Sequence, residues 1–203
     1  APKRAIRNYA IAAEDATEVF AFDDAVRRYR RAIELLPDLA AGRQRDQVEL
    51  ELLHAMSLPL NAIEGYASSS LRESLERSAV LAERLGELRL HVLTLVALFA
   101  VRFVQGDVLE SYRIGEQALA LSAGGPEEGQ AHFALGGAAA ELGRHTLAVD
   151  HFDKAHQLAI DRPPSLVGTR PEVHARAWCA HPLWVLGRGA EAVSWADWAS
   201  SGP

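Results

Sequence analysis

The stretch LGGAAAELGRHTLAVDHFDKA, Leu135 to Ala155, sets the tightest limit on what this chain can become. It reads as two short helices around Gly143, crowded with alanine and glycine where a core normally wants bulk. The pattern is a large–small pair, Leu135-Gly136, then Ala139, glycine at the turn, and Ala148, Phe152 and Ala155 along the second helix. Residues three and four apart share a helix face, so the small residues fall where the two helices cross. A glycine or alanine there lets the backbones close to the short end of the usual interaxial distance of roughly 8–10 Å. The aromatic one turn on fills the space that remains. The pattern predicts a hairpin whose helices touch closely and which repeats.

The same register recurs. In FAFDDAVRRYRRAIELLPD, Ala25, Tyr29, Ala32 and Pro37 take the second-helix positions, behind a first helix over roughly Arg4 to Val19. Leu98, Gly106, Ser111 and Ala118 fit a third unit, with Phe99 where a small residue is usual. Cys179-Ala180, Gly187, Ala192 and Ala199 fit a fifth. The second unit fits loosely through Met56-Ser57, because its GYASSS turn is long. These spacings resemble the tetratricopeptide repeat. The resemblance implies an all-α, right-handed α-solenoid of about five helical hairpins, at about 4–37, 44–87, 88–122, 126–160 and 171–200, with a loop at 161–170. Pro126 and Pro171 are expected at first helical positions, each followed by glutamate near the positive end of the helix dipole. Pro59 and Pro182 fall inside first helices, where each removes a ladder bond at a cost of about 3 kcal/mol; kinks or breaks are expected there.

Composition narrows the function classes. Half of the 203 residues are apolar, and only Lys3 and Lys154 are lysines among 21 basic residues. The formal charge of −6 argues against a phosphate-binding surface, so no direct nucleic-acid contact is expected. Cys179 is the sole cysteine, which excludes an internal disulfide and fits a reducing compartment. The longest apolar run, His91 to Val104, is too short to span a bilayer and contains Arg102. A cytoplasmic chain without a membrane partner is the expectation. The opening without methionine and the end at ASSGP, part-way through an apparent helix, point to a piece of a longer protein.

Three segments go beyond a generic repeat: Ala13 to Pro37, Glu49 to Glu87, and GTRPEVHARAWCAHPLWVLGRGAEAV from Gly168 to Val193. Together they resemble the helical C-terminal region of large bacterial signal-transducing NTPases of the STAND type. In those proteins a nucleotide-binding module precedes tetratricopeptide-like repeats and is coupled to an output domain. The output is DNA-binding in Streptomyces antibiotic regulatory proteins and large ATP-binding LuxR-type activators, or a class III nucleotide cyclase. The resemblance implies a sensor and protein-interaction role in transcription regulation or signal transduction. The NTPase and output domains of the parent chain would then be partners. Pro182 departs from the alanine-like residue expected at its place.

No G-x-x-x-x-G-K-[ST] is present, so phosphates have no P-loop here. H-E-x-x-H is absent. His151 and His156 lie five apart, on different faces of one helix, and read as solvated surface residues rather than zinc ligands. Cys179, between His174 and His181, takes a large core position and reads as a buried, inert thiol. No catalytic residue, metal site or cofactor is expected, and the chain reads as a non-enzyme.

What remains is a surface. Stacked hairpins present their first helices along one groove. The register assigns to it Arg7, Glu14, His54, Asn61, Phe103, Phe133, Glu141, His174, His181 and Trp184. Such a mixed aromatic and polar lining suits a protein segment or a small effector. His174 and His181, seven apart with Trp184 close by, make the best local cluster. Chaperone-tail-binding repeats use lysine and asparagine clamps, for which only Arg7 and Asn61 offer anything similar. Tryptophans 178, 184, 195 and 198 crowd the last unit and suggest a homodimer through it.

Overall fold

The computed structural model describes residues 2–159 and 171–201, so the loop expected at 161–170 lies outside the described residues. Among the described residues ten α-helices follow one another: α1 (Pro2–Glu18), α2 (Phe22–Glu34), α3 (Arg43–Glu64), α4 (Ser69–Leu85), α5 (Leu88–Val104), α6 (Val108–Ser122), α7 (Glu128–Glu141), α8 (His145–Ala159), α9 (Pro171–Val185) and α10 (Gly189–Ser201). A single 3-10 turn, Leu36–Asp38, follows α2. No strand occurs among the described residues. Packing divides the chain inside α5 into two compact units, Ala1–Thr94 and Leu95–Pro203. Within each unit, helices pack against their chain neighbours in order, and odd-numbered helices also meet, α1 with α3 and α7 with α9. Order along the chain thus becomes order in space, the arrangement of an α-solenoid.

Small residues make this stacking close. Ala139, Ala148, Phe152 and Ala155 are fully buried, and Leu135 nearly so. A Cβ added to Gly136 would lie 2.8 Å from the Phe152 ring, so only glycine leaves room for that aromatic. A Cβ on Gly137 would lie 3.2 Å from Trp178 and 3.5 Å from Phe99. The tighter of these contacts is with Trp178; Phe99, where the repeat usually has a small residue, is at ordinary contact distance. In the loosely matching second unit serine does alanine's work. Ser74 and Ser78 are buried on α4, with the Ser78 hydroxyl donating to the Ser74 carbonyl at 3.0 Å.

The ends of α1, α5, α7 and α9 follow one recipe. After α7, Gly143 N–H donates to the Ala140 carbonyl at 3.0 Å and Arg144 N–H to Ala139 at 2.8 Å, with Gly143 at φ 72°. This is the left-handed glycine cap that satisfies the last free carbonyls of a helix. Gly106 and Gly187 close α5 and α9 with the same pair of bonds. At the end of α1 the bonds are identical, Phe20 to Thr17 and Ala21 to Ala16, but the left-handed residue is Phe20, at φ 59°. A side chain in that conformation costs about 1–2 kcal/mol. The ring gains only an edge-on contact with Phe22, centroids 5.9 Å apart, and is 78% exposed.

Three expectations need adjustment. Neither α3 nor α9 is broken at Pro59 or Pro182; each runs on past its proline as one helix. Both rings are buried, so packing offsets the missing amide. Pro126 is not at a first helical position. Gly125 N–H donates to the Ser122 carbonyl at 2.7 Å, which winds residues 123–127 into a turn and delays α7 until Glu128. The Glu128 carboxylate accepts the Gly124 N–H at 2.7 Å and so still caps exposed backbone.

The shared turn geometry gives an opposed pair of outcomes in urea unfolding. Phe20→Gly raises stability by about 1 kcal/mol, because the strain leaves and little packing is lost. Gly143→Ala, with open space around its Cβ, lowers stability by about 1–2 kcal/mol for the backbone alone.

Candidate functional site

In the first unit, α1 and α3 border a cleft of about 290 Å³. On the α1 wall Lys3, Arg7, Ala10 and Glu14 recur at three- and four-residue steps, which places them in one row. Gln44, Val48, Leu52 and Ala55 do the same on α3, with Glu51 beside them. Ile6 and Tyr29 also line it. Tyr29 is 2% exposed, and its burial, with the charge of Glu14 adding to it, pushes the phenol up to about 12. It is a neutral floor. Lys3 Nζ donates to Gln44 Oε1 at 2.8 Å and ties the beginnings of the two walls together.

The charges along the cleft are segregated. Lys3 and Arg7 stand towards the start of α1, and Glu14 lies near its end. Neighbouring arginines on α2 are engaged: Arg27 and Arg28 with Asp24, Arg30 with Glu64, Arg31 with Glu34. Neither Arg7 nor Glu14 has a salt bridge among the described residues, and both are exposed. Glu51 takes only a hydrogen bond from Gln47, at 3.1 Å.

Two further sequence-assigned positions, His54 and Asn61, lie on α3 outside this lining. Burial lowers the His54 pKa, with the Arg89 charge adding to it. Asn61 Oδ1 is buried without a hydrogen-bond partner.

The second unit carries an aromatic platform across three first helices. Phe99 and Phe103 of α5 have centroids 5.4 Å apart, and Phe103 meets Trp178 of α9 at 5.6 Å. Phe133 of α7 meets Trp178 at 5.3 Å and His174 at 5.9 Å. Trp178 remains 42% exposed, so the platform presents one broad indole face. Of the assigned positions, Phe103, Phe133 and His174 join it. His181 does not: it stands edge-on to His145, at 6.0 Å. Trp184 is 67% exposed and leans on Gly189, and Glu141 is exposed near the end of α7. Sharing a helix face therefore does not make His174, His181 and Trp184 one cluster, because seven residues separate the histidines by about 10 Å.

Neither His151 nor His156 is a solvated surface residue: His151 is half-buried and His156 is buried. His151 Nδ1 lies 2.8 Å from His132 Nδ1 on α7, and His132 is buried. His156 is buried too: its Nδ1–H donates to the Glu172 carbonyl at 3.2 Å, and its Nε2 accepts Arg176 Nε–H at 3.2 Å. The Arg176 guanidinium lies 4.5 Å from the Trp198 ring centroid and 5.0 Å from that of Trp195. Two of the four C-terminal tryptophans are thus engaged within the last hairpin. Cys179 is fully buried, and burial pushes its thiol up to about 12. Among the described residues no three His, Cys, Asp or Glu side chains converge as metal ligands. No helix among them is long and apolar enough to cross a membrane.

The whole chain superposes on solved repeat structures. A crystal structure of MamA protein aligns with 97% of this chain and 91% of its own, at TM-score 0.67 and 17% identity. A Podosopora anserina putative kinesin light chain with nearly identical TPR-like repeats aligns over 99% and 95%, at TM-score 0.71 and 15% identity. A second MamA structure gives TM-score 0.61 over 93% of this chain, at 18% identity. No protein-family model and no curated protein matches the sequence. The fold is therefore an all-α solenoid of tetratricopeptide-like hairpins.

The buried histidines set a pH dependence. Burial, reinforced by the His132 and Lys154 charges, lowers His151 from its ordinary 6.5 to about 4; Asp150 opposes this weakly. His54, His91, His132 and His156 are lowered as well, each chiefly by burial. Between about pH 6.5 and 4 the unfolded chain binds more protons than the folded one, so stability falls as pH falls through that window. Thermal melts between pH 7.5 and 4.5 should show this decline, and His151→Gln should flatten it.

Proposed function

We propose that the chain is a non-catalytic protein-interaction module that binds a polypeptide segment on its first-helix faces, with the α1–α3 cleft as the principal site. The observation that carries this reading is the cleft itself: two parallel rows of side chains with apolar residues between unpaired charges. At about 290 Å³ it stands at the small end of ligand pockets, which suits a few side chains of a segment rather than a bulky cofactor. The tetratricopeptide-like fold supports the same conclusion, since stacked hairpins expose extended surfaces of this kind.

The finer proposal is a regulatory one. The three segments resembling STAND-type NTPases support a sensor arm whose occupancy shifts a parent transcriptional regulator between inactive and active arrangements. The fold is equally that of a free-standing adaptor, and a cyclase-coupled parent would use the surface in the same way. Heating the chain with purified NTPase or output domains of its parent separates these. Stabilisation supports the sensor arm, and its absence supports the adaptor.

Selection of displayed heptapeptides on the 203-residue chain tests the binding reading. Binders are expected at micromolar affinity, and Ala55→Trp, which fills the cleft, should abolish most of them. A selection with no binders, or binders indifferent to Ala55→Trp, overturns it.

A further inference from the structure

We infer that the α1–α3 cleft selects an extended segment bearing one acidic and one basic side chain three positions apart, with small apolar residues between them. This rests on the cleft being the binding site and adds the chemistry of its occupant. From Lys3 to Glu14 the α1 wall rises about 16 Å at 1.5 Å per residue, which is the length of about five extended residues. Arg7 and Glu14 are about 10 Å apart along the axis. In an extended polyproline-type segment, side chains three apart share a face at a rise of about 3.1 Å per residue, close to 9 Å in all. The spacing of the two unpaired charges and that of the segment's side chains therefore coincide.

Charge order gives the selectivity. A carboxylate on the segment meets Lys3 and Arg7, and an ammonium or guanidinium meets Glu14. Between them Ala10, Val48 and Leu52 are apolar, so a polar residue packed against them would lose its water without replacement. A segment with two like charges meets repulsion at one end, which rejects it as effectively as a missing contact would.

Calorimetric titration of the full chain with blocked hexapeptides tests this. The probe is Ac-Pro-Glu-Pro-Pro-Lys-Pro-NH2, compared with analogues carrying Gln/Gln, Glu/Glu or Lys/Lys at the two charged positions. The dipolar peptide should bind about tenfold more tightly than the Gln/Gln analogue, as two partly exposed charge pairs would give. Glu14→Lys should transfer the preference to the Glu/Glu peptide, and Arg7→Glu should move it towards Lys/Lys. Both side chains are exposed and unpaired, so melting curves should match the parent's. Equal binding of all four peptides, abolished by Ala55→Trp, overturns the charge inference and leaves the cleft as a binding site. Failure of all four while displayed heptapeptides still bind there also overturns it. If neither set binds, the cleft reading falls with it.

Discussion

The contact on which the rest depends is the one between a missing side chain and a ring. At Gly136 the backbone of α7 comes so near Phe152 that a single added carbon would overlap it, and the ring is fully buried. Close approach of this kind buries apolar area without long side chains to order, which limits the entropy lost on folding. Alanines 139, 148 and 155 extend the same contact along the hairpin, and α9 closes over it with Cys179 and Leu183. Each hairpin hides one face and exposes another to the next.

That construction also decides where binding surfaces arise. First helices stand side by side, so their outer rows form walls or platforms according to how closely they pack. Between α1 and α3 the cleft keeps the unpaired charges of Arg7 and Glu14 beside apolar side chains. In the second unit the corresponding rows carry Phe103, Phe133 and Trp178, which fill the interval with rings packed at tilted and edge-on angles. One architecture thus yields a polar cleft in one unit and an aromatic plateau in the other, by the choice of a handful of side chains.

Much of this was legible in the residues. Leu135-Gly136, Ala148 and Phe152 name a helix crossing because spacing and size are the physical content of the repeat. Arg7, Glu14, Phe103 and Phe133 followed from that register. The partners across the cleft did not. Gln44 and Val48 lie in the unit whose long turn obscures its alignment, and Tyr29 reads simply as a core aromatic. His132 was missed because a histidine was not expected at a buried, large-residue position; its imidazole is tolerated there through the bond to His151. His156 looked exposed by polarity, yet Glu172 and Arg176 satisfy both its nitrogens. Phe20 gave no warning, since nothing in a phenylalanine marks the left-handed turn that glycine makes elsewhere. Serine stands for alanine at the buried positions 74 and 78, which the register of the second unit did not mark.

The size match at the α7–α8 crossing is most directly tested by a double-mutant cycle in equilibrium unfolding, with Gly136→Ala, Phe152→Leu and both together. The account predicts that each single change destabilises the chain and that the pair costs at least about 1 kcal/mol less than the sum, because the smaller side chain vacates the space the new methyl needs. Strict additivity, or a Gly136→Ala variant as stable as the parent, would contradict the claim that the helices meet through that gap.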